Sequence, residues 1–251
     1  MRCVTTLLLV LASLGVWLGG GCPQGSQCEP AMSAQVTSVA EARLPAAWCR
    51  PESSRFRVVV ATGPYRVSDA ALANLVAVMR EQAGLAVEVV EGADTGLPAA
   101  GLVGGAAAVA AGQTQIPPGH DAVLVVVVVD DTDYPGATYG FIDYGYAGRP
   151  TAVTVLHRAP VATGGIGPIP ADGVESATLV HEVGHWLGVP ARGFHTSALD
   201  GSHCTNARCV MFKGSRVGPC AILANLCTGV PVRFCEDCAA ELAEMRRRRA
   251  P

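Results

Sequence analysis

Val174-Glu175-Ser176-Ala177-Thr178-Leu179-Val180-His181-Glu182-Val183-Gly184-His185-Trp186-Leu187-Gly188 is the stretch from which the rest of the chain can be organised. Val174, Ala177, Leu179, Val180, Val183 and Leu187 recur at helical spacing, so the segment reads as an amphipathic helix from Asp172 to Leu187, with Asp172 as its cap. On such a helix His181 and His185, four positions apart, lie one above the other on one face.

Two imidazoles so placed can grip one metal ion from the same side, and Glu182 can reach a metal-bound water without being a ligand. Zinc suits this donor set, because it accepts nitrogen ligands and keeps a position open. It lowers the pKa of its water to about 7 and polarises a carbonyl. Glu182 would then act as general base, taking the water's proton and passing it to a leaving amine. The pattern therefore leads to a zinc-dependent hydrolase of peptide bonds. A third ligand is required, and His203 and His195 are the downstream candidates, with Asp200 a weaker one.

Outward from this helix the pattern is strand-rich. Phe56 to Ala61 is a short β-branched run, followed by a helix capped by Ser68 or Asp69 and running to about Ala83. Leu72, Leu75, Val76 and Met79 give that helix a buried face, and Gly84 ends it. Leu85 to Val90 reads as a second strand, and residues 92–120 as a loop with one short helix. Ala122 to Val129 is an unbroken apolar run, too short for a membrane span and typical of a strand buried on both faces. Asp130, Asp131 and Asp133 end it. Thr138 to Ile142 and Thr151 to Leu156 are further strands, and a last helix runs from near Cys235 to about Arg248. This order predicts an α/β (α+β) domain with a mixed sheet.

The 251 residues suffice for one domain with a sizeable core, and the 50% apolar, 16% charged composition excludes disorder. A net charge of −3 gives no electrostatic case for nucleic acid. The run Arg246 to Arg249 reads as a solvated helix end that complements the helix dipole.

The first residues read as an export signal. Arg2 precedes the apolar run Val4 to Leu18, and Gly19-Gly20-Gly21-Cys22 follows. Cys22 resembles the acylated cysteine of a bacterial lipoprotein, so both lipid anchorage through Cys22 and free secretion follow as expectations. The expected organisation is a signal peptide over 1–21, a Pro- and Ser-rich tether over 22–51 and a zinc peptidase domain over 52–251, acting as a monomer. Eight cysteines remain beyond Cys3 and Cys22, and Cys28 with Cys49 and Cys220 with Cys227 are candidate local pairs.

His181-Glu182-x-x-His185-x-x-Gly188, then His203-Cys204, Cys209-x-Met211 and Cys235-x-x-Cys238 together resemble the metzincin clan of metallopeptidases, and the archaemetzincins in particular. The resemblance covers about residues 180 to 240. It implies a zincin fold with a mostly parallel twisted sheet, an active-site helix and a C-terminal helix after a methionine turn. It implies that His203 is the third zinc ligand, with His195 the alternative, and that Met211 lies under the site as apolar support. It also implies a second, structural zinc held by Cys204, Cys209, Cys235 and Cys238, where export alone would favour disulfides. Substrate would lie along the edge strand Thr138, Tyr139, Gly140, Phe141 and Ile142, a mode that recognises any peptide through its backbone. The sequence departs from the family in the fourteen residues Val189 to Ser202, which separate Gly188 from His203 and require an inserted loop. The competing expectation is a catalytically silent zinc-binding lipoprotein with a binding or structural role.

Overall fold

The computed structural model describes residues 55–118, 122–133, 139–143, 151–164, 170–191, 194–197, 201–212 and 229–247. The candidate signal, Cys22, the tether and the pairs Cys28/Cys49 and Cys220/Cys227 lie outside these residues, as do Thr138 and Asp200. No described helix is long and apolar enough to cross a membrane.

The described strands are β1 (Arg55–Thr62), β2 (Ala86–Asp94), β3 (Leu102–Val103), β4 (Val123–Val129), β5 (Asp131–Thr132), β6 (Gly140–Asp143) and β7 (Thr151–His157). The helices are α1 (Asp69–Glu81), α2 (Gly105–Gln113), α3 (Arg158–Gly164), α4 (Ala171–Leu187) and α5 (Glu236–Arg247). The main sheet has five strands in the order β2-β1-β4-β7-β6, and β3 pairs with β5 separately. All neighbours in the main sheet are parallel except β6, which runs antiparallel to β7. The mixed, mostly parallel architecture expected from the sequence is thus present.

The valine run forms the centre of this sheet because its side chains have apolar cover on both faces. Leu124, Val126 and Val128 point into a core shared with α1, α4 and α5. Val123, Val125, Val127 and Val129 point the other way, toward Ala108 and Val109 of α2. Every residue of β4 is buried, at most 7% exposed, which explains why the run shows no alternation. Trp186 fastens α4 to the sheet, its ring 5.4 Å from that of Phe56.

Several boundaries differ from the sequence expectation. Ser68 caps α1, its hydroxyl accepting the Ala71 N–H at 3.2 Å. The helix stops at Glu81, and Gly84 follows with φ of 61°, the left-handed turn that glycine tolerates. Asp172 is not the cap of α4. Extended Pro170 stands there, and Asp172 lies inside the first turn, where its charge still suits the helix dipole. The second strand runs on to Asp94, helped by the close approach of Gly92 to β1, where a Cβ would meet Ala61 Cα at 3.1 Å. The short helix expected between 92 and 120 is α2, but β3, β5 and α3 were not anticipated, and β5 falls on Asp131, one of the aspartates read as ending the valine strand. The last strand before β7 begins at Gly140, so Tyr139 precedes it.

Candidate metal centres

Helix α4 carries His181 and His185 on its last turns and ends cleanly. Gly188 caps it with φ of 81°, and its N–H reaches back to the His185 carbonyl at 3.0 Å. The chain then leaves the helix and returns with His203. His181, His185 and His203 form one cluster whose candidate ligand atoms all lie within 4.8 Å of one another. Their ring centroids are 4.7, 5.1 and 4.9 Å apart.

The donor geometry fits zinc. His181 Nδ1 lies 2.7 Å from the Val210 carbonyl. A carbonyl only accepts, so Nδ1 holds the ring proton and Nε2 is left with a lone pair directed into the cluster. That Nε2 stands 3.1 Å from His185 Nε2, close to the roughly 3.3 Å edge of a tetrahedron with zinc–nitrogen bonds near 2.0–2.1 Å. His181 is 7% exposed, whereas Glu182, His185 and His203 are half-buried. Glu182 follows His181 directly on the same helix.

Met211 is fully buried beneath this turn of α4. Gly184 makes the approach feasible, since a Cβ there would meet Met211 Sδ at 2.2 Å and Phe234 Cε1 at 2.9 Å. Between Cys209 and Met211, Val210 has two roles. Its carbonyl accepts a hydrogen bond from the His181 Nδ1–H, and its own N–H donates to the Arg233 carbonyl at 2.9 Å. Sequence reasoning missed this backbone acceptor, because a carbonyl carries no residue signature.

Cys204, Cys209, Cys235 and Cys238 form a second cluster with metal-binding proximity. None of the four is in a disulfide. Cys204 Sγ is 3.8 Å from Cys235 Sγ, and Cys209 Sγ is 3.7 Å from Cys238 Sγ. A disulfide needs about 2.05 Å. A tetrahedral zinc with bonds of about 2.3 Å separates its sulfurs by about 3.8 Å. The spacing therefore matches a tetrathiolate centre and not a pair of bridges. Backbone N–H groups of Asn206 and Cys235 point at Cys204 Sγ and Cys209 Sγ, at 3.4 and 3.3 Å. Hydrogen bonding to Cys209 draws the Cys204 thiol down to about 6. Bonds to Cys204 are the largest cause of a lowered Cys235 and of raised Cys209 and Cys238.

His195 does not join the histidine cluster. It lies at the cysteine quartet, with Nδ1 3.5 Å from Cys204 Sγ and Nε2 3.0 Å from Glu241 Oε1. Burial disfavours its charged form, but the bonds to Cys204 and Glu241 outweigh this and raise its pKa. Glu241 was also missed from sequence; its one signal is its place three residues after Cys238 on the same helix.

Strand β6 ends the main sheet. The His157 N–H donates to the Tyr139 carbonyl at 2.9 Å, and Phe141 stands opposite Val155. Bonded and non-bonded pairs alternate in an antiparallel ladder, so the peptide groups of Gly140 and Ile142 face away from β7.

No family model matches the chain, and no curated protein matches it. Among solved structures, it is similar to archaemetzincin from Methanopyrus kandleri, with a TM-score of 0.50 at 19% identity over 78% of this chain and 98% of that one. A zinc-dependent peptidase from Methanocorpusculum labreanum also matches, with a TM-score of 0.42 at 15% identity over 74% of this chain and 99% of that one. With its mostly parallel sheet, its histidine-bearing helix and its two clusters of metal-binding side chains, this chain has the fold of an archaemetzincin.

Proposed function

We propose that this chain is a zinc-dependent endopeptidase. The observation that carries the reading is the clustering of His181, His185 and His203, with Glu182 next to His181 on the same helix. Zinc bound there would supply Lewis acidity toward a carbonyl and an acidified water. His181 is oriented for that role by its bond to the Val210 carbonyl. Glu182 takes the proton from the attacking water and delivers it to the departing amine. The outward peptide groups of Gly140 and Ile142 pair with an extended substrate, which fixes backbone direction while leaving side-chain choice to flanking surfaces. Cys204, Cys209, Cys235 and Cys238 hold a second zinc that closes the C-terminal part of the domain.

The export reading belongs to the same proposal: residues 1–21 are removed as a signal, and Cys22 is the acylation site that tethers the catalytic domain outside the cytoplasm. Labelling with a fatty-acid analogue in the expressing cell checks it, since a Cys22→Ser chain should lose the label.

The reading is tested by metal content and by casein or gelatin cleavage, with Glu182→Gln as control. Native protein should bind zinc and cleave, and the variant should bind zinc and fail to cleave. Activity that survives Glu182→Gln defeats the mechanism. Full zinc occupancy without cleavage of any tested peptide favours a silent binding protein.

A further inference from the structure

Midway along the segment between Gly188 and His203, His195 turns inward to the cysteine quartet. His195 and Glu241 are 4% and 2% exposed, and they face each other at 3.0 Å. Glu241 Oε2 accepts the Ala191 N–H at 2.8 Å, so the same carboxylate holds the start of the insertion and its histidine. On its other side the His195 ring presents Nδ1 to Cys204 Sγ at 3.5 Å and to Cys238 Sγ at 4.0 Å. The backbone is locked in the same place. Thr205 N–H donates to the His195 carbonyl at 2.8 Å, Ser197 N–H donates to the His203 carbonyl at 2.6 Å, and Thr196 forms a bridge with Cys204.

The ion-pair contact of Nε2 with the Glu241 carboxylate sets the ring so that Nδ1 faces the Cys204 sulfur, an acceptor once it is a thiolate. We infer that His195, oriented by Glu241, is a positioning residue of the four-cysteine centre that donates its Nδ1–H to Cys204 Sγ and slows loss of the metal. The inference rests on the reading of the quartet as a zinc centre. A hydrogen bond to a thiolate withdraws charge from the sulfur and makes it a poorer base, which opposes the protonation that releases metal. It also fixes the step between the two centres, because Cys204 follows His203 directly in the chain. Glu241 lies three residues after Cys238 on α5, so the helix that brings a sulfur to the quartet also brings the group that aims the histidine. Outer partners of this type typically change metal affinity by about 10–100-fold when removed.

The test uses the full chain loaded with zinc or with cobalt(II), whose thiolate charge-transfer absorption reports the quartet apart from the histidine cluster. Native protein is compared with His195→Phe, His195→Gln and Glu241→Gln during challenge with excess EDTA. The thiolate–cobalt band of His195→Phe should bleach about 10–100-fold faster than native. Glu241→Gln should fall between, and His195→Gln should recover part of the loss because its amide N–H can still donate. Zinc transfer to a chromogenic chelator should follow the same order. Native-like bleaching in a folded His195→Phe chain overturns the inference. If that variant does not fold, native-like rates in both His195→Gln and Glu241→Gln overturn it instead. Absence of the band from the native chain overturns the zinc reading of the quartet and this inference with it.

Discussion

Gly184 faces Met211 so closely that a Cβ at Gly184 would stand 2.2 Å from Met211 Sδ. The residue before the second helical histidine is thus glycine for a packing reason, and the methionine fills the space that a side chain would otherwise occupy. Gly184→Ala should destabilise the protein by about 1–3 kcal/mol through overpacking. Met211→Ala should cost about 2–5 kcal/mol through the cavity it leaves. The two sites share one space, so the double variant should cost less than the sum of the singles. Denaturant unfolding of the four chains in a double-mutant cycle measures this, and strict additivity would show that the contact is not made.

The two downstream histidines should separate by metal stoichiometry. His203→Ala should lose the metal of the histidine cluster and keep that of the cysteines. His195→Phe, equilibrated with zinc, should keep the histidine-cluster metal. Elemental analysis with protein quantification reads the difference, and loss of the histidine-cluster metal only from the His195 variant would reverse the ligand assignment.

Metal removal should act on the fold as well as on catalysis. The quartet joins the segment around Cys204 and Cys209 to helix α5, and binding energy at such a site is folding energy. Dialysis against EDTA under reducing conditions should lower the melting temperature, and one equivalent of zinc should restore most of it. An unchanged melting temperature in the stripped protein would count against a structural metal.

Peptide hydrolysis should depend on the outer edge of β6, the last strand of the described sheet. Ile142→Pro removes an N–H that faces away from β7, a change that edge strands tolerate better than central ones. The circular dichroism of this variant should remain native, while kcat/KM on an extended peptide should fall by about tenfold, as expected for loss of about one hydrogen bond made in the complex. An undiminished kcat/KM would place substrate elsewhere.

The local patterns reached far into this protein. The helix bearing His181 and His185, the buried valine strand and the C-terminal helix were legible because each is specified by residue types at fixed short spacing. The departures fall where neighbours decide. Pro170 stands at the helix cap two residues before Asp172, and β2 ran beyond Val90 because Gly92 could lie against β1. The short β3, β5 and α3 have too few residues to show a period.

By itself the sequence determined which side chains can bind metal, since the chemistry of histidine, cysteine and a neighbouring glutamate is carried by the residues themselves. It left open whether His195 or His203 stands with the helical pair, and whether four sulfurs are joined as disulfides or held around an ion. Those answers depend on how a fourteen-residue insertion returns to the domain. Its described residues are held by Glu241, Thr205 and the carbonyl of His203, contacts among residues far apart in the chain or on the backbone itself, which only a folded chain can bring together.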